Sequence, residues 1–263
     1  MAIGGIPKYT MIDSVRIAHA REKLQKKMSI VTEGRYQIIT IDGVSVYWPL
    51  EEDAKKVLDY YCETVLMFHP HCYNSHNTLV SKGDIVIDCG ACEGIFGKLS
   101  AKVAKKVYLS EPLDIMVNCL NKTFQYEIDN GLVEITPYAF SNFSGDSYFD
   151  KGELTIGTGY ITEESSEMKV KVLTIDDFVH KNKIERVDFI KSDVEGGEVP
   201  LIEGATGVIK QYKPKIAITT YHYPDDAKNI VEKIMSIHSD YQYEMVGQVE
   251  FKEGLFPVMA HFW

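Results

Sequence analysis

The sequence has 263 residues, which is enough to bury the core of one large α/β domain. Its apolar content of 45% and charged content of 25% are ordinary for a soluble globular protein. The formal net charge is −10 and no block of Lys or Arg stands out, which disfavours nucleic acid as a partner because phosphate neutralisation needs a basic surface. A small neutral or cationic substrate fits this charge better.

The sequence gives no indication of export or membrane insertion. The first seven residues lack the basic start and apolar core of a signal peptide, and no apolar run approaches the ~20 residues of a membrane-spanning helix. The five cysteines are an odd number, which without a secretory signal indicates free thiols in a reducing compartment. We therefore expect a cytoplasmic protein without a membrane partner, and a homo-oligomer remains open.

The first 80 residues show no repeat and predict a small α/β cap that covers the site where the substrate binds. An Asp-Gly pair between two β-rich runs is a strong hairpin signal, and apolar residues at helical spacing flank that hairpin on both sides. The predicted elements are a helix over residues 10–30, a hairpin of Tyr36–Ile41 and Val44–Trp48, and a helix over residues 51–68.

From residue 81 to residue 263 the pattern changes to short apolar strands that alternate with helical segments, which predicts a parallel sheet with helices on both faces. The predicted strands are Asp84–Asp88, Val107–Leu109, Val133–Ile135, Val187–Ile190 and Ile216–Thr219. Two long β segments, 241–251 and 255–263, predict a terminal antiparallel hairpin, which is typical of methyltransferases. The predicted fold class is therefore α/β, with a Rossmann-like core of the class I methyltransferase type and a seven-stranded, mostly parallel sheet.

Four polar residues follow four different predicted strands. They are Asp88, Glu111, Asp193 and His222. Ligands of open α/β sheets bind beyond the carboxyl ends of the strands, so these residues are expected to meet at one edge of one sheet.

The loop Asp88–Gly94 favours a sulfonium cofactor over a dinucleotide. Its strand–glycine turn–helix layout is generic for nucleotide binding, and Glu111 lies at the right distance to accept hydrogen bonds from ribose hydroxyls. The loop lacks the G-x-G-x-x-G fingerprint, and the carboxylate of Glu93 would repel a pyrophosphate. S-adenosylmethionine has no phosphate and carries an ammonium and a sulfonium, so these carboxylates suit it.

Several segments, in chain order, resemble the FkbM-type methyltransferases, which use S-adenosylmethionine. The segment D-I-V-I-D-C-G-A-C-E-G at 84–94 is similar to that family's V-D-x-G-A-x-x-G loop. The most specific segment is F-I-K-S-D-V-E-G-G-E at 189–198, which resembles I-K-x-D-V-E-G-x-E. Shorter similarities are S-E-P at 110–112, A-F-S-N at 139–142 and L-T-I-D-D-F at 173–178. The resemblance extends from about Lys82 to His222 and is not seen in the first 70 residues.

The resemblance implies an O-methyltransferase of sugars and natural products and assigns site residues. Those implied to hold the cofactor are Asp88, Gly90, Glu93 and Glu111, and we extend the predicted cofactor site to Ala91, Cys92, Gly94, Phe96, Pro112, Phe140 and Ser141. Those implied to line the reaction centre are Lys191, Asp193 and Glu195.

An alcohol that accepts a methyl group must lose its proton, so a base is expected within hydrogen-bond reach. His222 is the first candidate because its ordinary pKa suits base duty at neutral pH, and Asp193 is either a second base or the group that orients it. Lys191 alternatively forms an internal ion pair, and Glu195 and Glu198 alternatively stabilise a helix N-terminus. A divalent metal on these carboxylates and His222 is possible but not expected.

Other patterns have structural alternatives. Cys89 and Cys92 look like half a zinc site without a second pair, and residues 69–76 are either a metal site, part of the acceptor pocket or, as we prefer, a solvated loop. Thr174 reads as the N-cap of a helix with Asp177 in an imperfect capping box. Residues 144–169 are a hairpin or lid with Tyr160 as an acceptor contact, or an insertion without a role.

The sequence therefore predicts an S-adenosylmethionine-dependent O-methyltransferase that acts on a hydroxyl of a sugar or secondary metabolite, with His222 and Asp193 as the base system. Two alternatives remain open at this point: an NAD(P)-dependent enzyme on a similar sheet, and a cofactor-binding protein without turnover.

Overall fold

A computed structural model of the protein describes residues 11–150, 160–162, 168–251 and 254–263. The N-terminal elements are α1 (Met11–Gln25), β1 (Met28–Glu33), β2 (Tyr36–Ile41), β3 (Val44–Pro49) and α2 (Ala54–Val65). The elements that follow are β4 (Ile85–Cys89), α3 (Ile95–Ser100), β5 (Lys106–Ser110), α4 (Asp114–Thr123), α5 (Gln125–Asp129), β6 (Val133–Thr136), β7 (Ala139–Phe140), β8 (Gly145–Asp150), β9 (Tyr160–Thr162), β10 (Met168–Leu173), α6 (Ile175–Lys181), β11 (Phe189–Ser192), α7 (Glu198–Glu203), α8 (Thr206–Tyr212), β12 (Lys215–Thr219), α9 (Asp226–Ile237), β13 (Tyr243–Val246), β14 (Val249–Phe251), β15 (Gly254–Phe256) and β16 (Met259–Phe262).

The N-terminal elements form a three-stranded antiparallel sheet with helices α1 and α2. The predicted hairpin is confirmed: β2 and β3 pair around Asp42 and Gly43, which both have positive φ as a two-residue hairpin turn requires. The predicted helix over residues 10–30 is wrong at its C-terminal end, because the chain turns after Gln25 and forms β1. Strand β1 is almost fully exposed. A strand without a buried face does not need alternating apolar and polar residues, so the sequence pattern that would indicate a strand is missing here.

The central sheet has seven strands in the order β13-β16-β12-β11-β4-β5-β6. Strand β16 runs antiparallel to both of its neighbours, and the other six strands share one direction. The two segments expected as a long terminal hairpin are each interrupted. Strands β13 and β16 pair within the central sheet, whereas β14 and β15 pair separately beyond Gly247, which has a φ of +73°.

Alternate residues of the central strands bury opposite faces of the sheet. Ile87 and Ile190 pack in one hydrophobic cluster with helices α6 to α9, whereas Val86 and Phe189 pack in another with α3 and α4. This period of two is expected of strands that are covered on both faces. The sheet therefore has helices on both sides, and its polar strand ends lie at the edge between the two layers.

The N-terminal elements pack onto the central unit through a third hydrophobic cluster. Trp48 of β3 and Leu58 of α2 share this cluster with Ile95 of α3 and Met116 of α4. Within the described ranges, no helix has the length and apolarity needed to cross a bilayer.

The segment between β6 and α6 contributes a four-stranded sheet in the order β7-β10-β8-β9. Strand β8 pairs antiparallel with both β9 and β10, which fits the hairpin predicted within residues 144–169. Residues 151–159 and 163–167 and the side chain of Tyr160 lie outside the described part of the chain, so the predicted contact of Tyr160 stays a prediction.

The predicted helix start at Thr174 is confirmed. The Thr174 hydroxyl accepts a hydrogen bond of 2.9 Å from the Asp177 backbone N–H at the N-terminus of α6. The neighbouring Asp176 carboxylate accepts hydrogen bonds of 2.8 Å from the backbone N–H groups of Gly207 and Val208 in α8. Thr174 and Asp176 therefore each bind the N-terminus of a helix. The Asp177 carboxylate accepts a hydrogen bond from the Ser144 hydroxyl, and the Thr174 backbone N–H donates to Ser144 Oγ, so the reciprocal bond of a capping box is not formed.

Candidate active site

The carboxyl ends of the central strands bring the four polar residues of the sequence pattern to one edge. Asp88 lies within β4 opposite Lys191 of β11, and Glu111 directly follows β5. Asp193 directly follows β11, and His222 lies three residues beyond β12. Because these strands pair in parallel, their carboxyl ends lie at the same edge of the sheet, and the residues that follow them come together as expected.

A buried ion pair lies beneath the glycine-containing loop. The Lys191 Nζ atom is 3.1 Å from Asp88 Oδ1, and it donates hydrogen bonds to the backbone carbonyls of Gly90 at 2.6 Å and Cys89 at 3.4 Å. Burial raises the pKa of Asp88, and Lys191 opposes that rise. The interpretation of Lys191 as half of an internal ion pair is therefore correct. The same ammonium also binds two backbone carbonyls at the start of the loop.

The conformation of this loop requires glycine at two positions. Gly90 has a φ of +76°, and a Cβ atom there would lie 2.0 Å from the backbone oxygen of Asp193. Gly94 has a φ of +83°, and a Cβ atom there would lie 2.7 Å from side-chain atoms of Leu120 and Phe124. The loop is thus held close to the end of β11, with no room for larger residues.

Two buried carboxyl groups face the loop. Glu111 accepts hydrogen bonds from the backbone N–H groups of Cys92 at 3.2 Å and Leu113 at 3.0 Å. Glu93 accepts a hydrogen bond of 3.3 Å from the backbone N–H of Ile95. Burial raises the pKa of Glu111 and of Glu93 to about 7 in each case. Both groups therefore change charge within the physiological range, as binding-site carboxyls often do.

A first cleft of about 370 Å³ opens beside this loop. It contains six of the residues predicted to bind the cofactor: Gly90, Cys92, Glu111, Pro112, Phe140 and Ser141. The four-stranded sheet adds Ser147, Phe149, Ile161 and Thr162 to its wall. The lining thus includes residues at the ends of β4, β5 and β7.

A second cleft of about 300 Å³ lies on the other side of the loop and reaches the N-terminal elements. It is lined by Ala91, Glu93, Phe96 and Lys191 from the predicted set, and by Tyr60, Glu63, Thr64, His71, Tyr73 and Tyr221. Both clefts share Gly90, Cys92, Asp193 and Glu195. These four residues therefore form the boundary across which two bound molecules would meet.

Three of the predicted site residues line neither cleft among the described residues. Asp88 is fully buried against Lys191, and Gly94 packs against Phe124. His222 contacts Glu195 and Glu198 and packs against the Tyr221 ring. Direct contact of Asp88 and Gly94 with a cofactor therefore does not fit the structure, in which both residues shape the loop.

The expected role of His222 as a base is also inconsistent with its surroundings. Its Nε2 atom is 3.2 Å from Glu195 Oε2, and its Nδ1 atom is 3.3 Å from Glu198 Oε1. Burial lowers the pKa of His222, but hydrogen bonding and attraction by Glu195, Glu198 and the nearby Asp193 outweigh burial and raise it to about 11. A histidine that is already protonated at neutral pH does not accept another proton.

Glu198 organises the segment between β11 and α7. Its side chain is 1% exposed and accepts hydrogen bonds of 3.0 Å from the backbone N–H groups of Val194 and Gly196 and one of 2.8 Å from the Thr219 hydroxyl. The structural interpretation of Glu198 is therefore correct. Glu195, with a φ of +56°, remains exposed to both clefts.

A cluster around His71 is the main feature that sequence reasoning missed. The His71 Nε2 atom lies 3.2 Å from the Tyr221 hydroxyl and 3.8 Å from Asp193 Oδ2, and the Tyr73 hydroxyl donates a hydrogen bond of 2.6 Å to the same Asp193 oxygen. The preferred interpretation of residues 69–76 as a solvated loop is wrong, because His71, Cys72 and Tyr73 are buried. These residues line the second cleft instead.

The charges of His71 and Asp193 differ from those of His222. Burial lowers the pKa of His71, so its imidazole is neutral at pH 7. Burial raises the pKa of Asp193, but the protonated form of His71, together with Lys191, His222 and the hydrogen bond from Tyr73, outweighs it, so the net pKa is lowered. While His71 is neutral, Lys191, His222 and Tyr73 are the groups that favour the ionised Asp193. The site therefore contains an ionised carboxylate beside a neutral imidazole.

Two overlapping groups of side chains could hold a metal ion by proximity. They are Asp193, Glu195 and His222, and Glu198, His222 and Asp226, with ligand atoms within 4.8 Å of one another. Both groups share His222, which ligates a metal only as the neutral imidazole. Burial also raises the pKa of Cys89 and Cys92, so both are protonated thiols.

The family described as "Methyltransferase FkbM domain" matches residues 88–245, more than half of the chain. The chain belongs to the FkbM methyltransferase family. Among curated proteins, none matches the chain significantly. The matched range includes the glycine-containing loop and the segment after β11, but it leaves out His71 and the N-terminal elements.

Solved structures show that this FkbM-family chain has a methyltransferase-like α/β fold with mixed sheets. The structure of methyltransferase FkbM from Methylobacillus flagellatus KT is similar with a TM-score of 0.57 and 19% identity, over 96% of this chain and 60% of that one. The chain thus spans three-fifths of the length of that protein.

Two more distant structures are also similar. Trm5b from Pyrococcus abyssi has a TM-score of 0.46 and 13% identity, over 89% of this chain and 62% of that one. An rRNA methylase from Streptococcus thermophilus has a TM-score of 0.42 and 13% identity, over 70% of this chain and 87% of that one.

We expect His222 of this FkbM-family chain to remain protonated across the neutral range. Because its folded-state pKa of about 11 lies above the unfolded value, its stabilising effect is complete below about pH 6.5 and is lost as the pH rises towards 11. The substitution His222→Gln should lower the free energy of unfolding by about 1–3 kcal/mol at pH 7, with a smaller loss at alkaline pH. Imidazole NMR signals of His222 that titrate near pH 6.5 would contradict this assignment.

Proposed function

We propose that the protein is an S-adenosylmethionine-dependent O-methyltransferase that acts on a hydroxyl group of a small molecule, such as a sugar or secondary metabolite. The observation that carries the proposal is the pair of clefts on either side of one loop, which share Asp193 and Glu195 at their boundary. One cleft has the lining for a nucleoside, and the other has a neutral imidazole for proton transfer. Methyl transfer needs these two compartments in contact.

The first cleft fits the adenosine part of the cofactor. Glu111 is only 6% exposed and forms two backbone hydrogen bonds, so its carboxylate oxygens have acceptor capacity left for ribose hydroxyls. Pro112, Met116 and Phe140 supply apolar surface next to it, as a purine ring requires. The predicted cofactor residues Cys92 and Ser141 complete this lining.

The charge of the two clefts supports a sulfonium cofactor over NAD(P). Among the described cleft residues, Lys191 is the one Lys or Arg, and its ammonium is directed at Asp88 and Gly90. Five carboxyl groups line the clefts: Glu63, Glu93, Glu111, Asp193 and Glu195. A pyrophosphate would lie beside the ionised Asp193 and would keep Glu93 and Glu111 protonated, whereas an ammonium and a sulfonium favour the ionised forms of these carboxyl groups.

When bound, S-adenosylmethionine supplies a methyl group that is already activated by its sulfonium, so the protein has to position the acceptor and remove its proton. We assign proton removal to the Nε2 atom of His71. This imidazole is neutral, lines the second cleft and lies 3.8 Å from the ionised Asp193, which stabilises the imidazolium formed after proton transfer. Tyr73 fixes Asp193 through its 2.6 Å hydrogen bond.

This assignment replaces His222 as the base but keeps Asp193. His222 contributes indirectly, because its positive charge helps to keep Asp193 ionised and its contact with Glu195 orients a residue shared by both clefts. The acceptor enters from the side of the N-terminal elements, where Tyr60 and Tyr221 form part of the wall.

Binding of the cofactor product tests the first half of the proposal. We expect isothermal calorimetry to show micromolar binding of S-adenosylhomocysteine and no binding of NADH. The conservative substitution Glu111→Gln should weaken binding about 10- to 100-fold, because it removes a charged acceptor from the ribose hydroxyls. The exposed Glu185→Gln is the matched control and should bind like the wild type. A preference for NADH would overturn the proposal.

Turnover tests the second half. With any hydroxyl acceptor that the wild type methylates, His71→Gln should lower kcat about 100-fold or more, whereas the affinity for S-adenosylhomocysteine should change less than about threefold. His222→Gln should mainly lower stability. If His222→Gln abolished kcat in folded protein and His71→Gln left it intact, the base would be His222, as the sequence alone suggests.

A further inference from the structure

The second cleft contains a carboxyl group that lacks a cationic partner. Glu63 extends from α2, and its side chain is 26% exposed. Within the described residues, neither Lys nor Arg lies within 4.0 Å of it, and the nearest basic group is His71, whose Nδ1 atom is 3.8 Å from Glu63 Oε2. Half-buried carboxylates are normally paired with a cation, and Glu63 has no such partner among the described residues.

A second buried polar atom in the same place also lacks a partner. His71 is 8% exposed, and its Nδ1 atom is buried without a hydrogen bond. The 3.8 Å between this atom and Glu63 is too long for a hydrogen bond. Because Nε2 accepts the proton in the proposed reaction, neutral His71 carries its hydrogen on Nδ1, where it is a donor that faces Glu63. The Glu63 carboxyl lines the cleft of about 300 Å³, so a donor group of the ligand fits beside its oxygens.

Aromatic rings surround this position. Tyr73 and Tyr221 each pack edge-on against the His71 ring, with centroid separations of 5.4 and 5.6 Å, and Tyr60 lines the same cleft on the α2 side. The face of Tyr73 is occupied by the Lys191 ammonium, 4.9 Å from the ring centroid, and Tyr221 packs against His222. Tyr60, three residues before Glu63 on α2, also lines this cleft, and a tyrosine ring beside a carboxylate suits an organic ammonium group.

The charge balance favours the same ligand. In the second cleft, Glu63, Glu93, Asp193 and Glu195 face one ammonium, that of Lys191, which is already paired with Asp88. The protonated His222 pairs with Glu195, so Glu63 and Glu93 are left without a cationic group within 4.0 Å among the described residues, and burial keeps both partly protonated. A cationic acceptor would favour their ionised forms, whereas an anionic acceptor would favour the protonated ones.

We propose that the methyl acceptor carries a protonated amine, and that Glu63 binds this ammonium in the second cleft while His71 faces the hydroxyl that is methylated. This assignment rests on the proposed function, and it names an amino alcohol or amino sugar as the substrate class. The buried environment supports it: burial, followed by the nearby Asp193 and Glu93, raises the pKa of Glu63 to about 8, and a bound ammonium would remove that penalty.

The test uses full-length protein saturated with S-adenosylhomocysteine at pH 7. Binding of two matched sets of probes is measured by calorimetry or ligand-observed NMR: D-glucosamine, D-glucose and D-glucuronate, and ethanolamine, ethylene glycol and glycolate. We expect the amine of a set to bind at least about tenfold more tightly than its neutral and anionic counterparts. Glu63→Gln should remove this preference, and Glu51→Gln, an exposed substitution just before α2, should retain it.

The outcomes separate the two proposals. Loss of S-adenosylhomocysteine binding in the wild type would overturn the proposed function itself. Normal binding of S-adenosylhomocysteine without a preference for either amine, or an unchanged preference in Glu63→Gln, would overturn the ammonium site alone. If Glu63→Gln weakened S-adenosylhomocysteine more than about threefold, Glu63 would bind the ammonium of the cofactor, and the acceptor proposal would be wrong.

Discussion

The ion pair between Lys191 and Asp88 is the constraint on which the rest of the site depends. Both side chains are buried at the centre of the sheet, where breaking one partner would leave an uncompensated charge. The same ammonium binds the carbonyl of Gly90, so the charge of one strand fixes the loop at the end of its neighbour. Residues of that loop line both clefts, and Asp193 lies at the boundary between them.

The two histidines near this boundary have opposite charges because they have different neighbours. His222 is sandwiched between Glu195 and Glu198 and is a cation, whereas His71 is buried beside tyrosines and is neutral. Asp193 is close enough to the neutral ring to stabilise it after proton transfer, and the cationic ring helps to keep Asp193 ionised. Acid and base roles thus follow from packing rather than from residue type.

The sequence predicts the central strands and their polar ends well, because buried parallel strands are short apolar runs and the residues that follow them must meet at one edge. It does not predict Glu63, and it includes His71 only in the acceptor-pocket alternative for residues 69–76, which is not the preferred interpretation. Glu63 and His71 lie on a helix and a loop outside the central sheet, and no local pattern shows which loop packs against which strand end. The sequence also does not predict the charge of His222, because that charge depends on Glu195, 27 positions earlier in the chain. Glu195 has a positive φ, and its carboxylate contacts the His222 ring.

A crystal structure of the complex with S-adenosylhomocysteine tests the central claim most directly. We expect the ribose hydroxyls to lie at Glu111 in the first cleft and the sulfur atom to lie at the boundary near Asp193. The contact of Lys191 with Gly90 should be unchanged. The second cleft, with His71 in its wall, should remain open for an acceptor. Adenosine in the second cleft, or a sulfur atom directed away from Asp193, would contradict the division of the site into a cofactor cleft and an acceptor cleft.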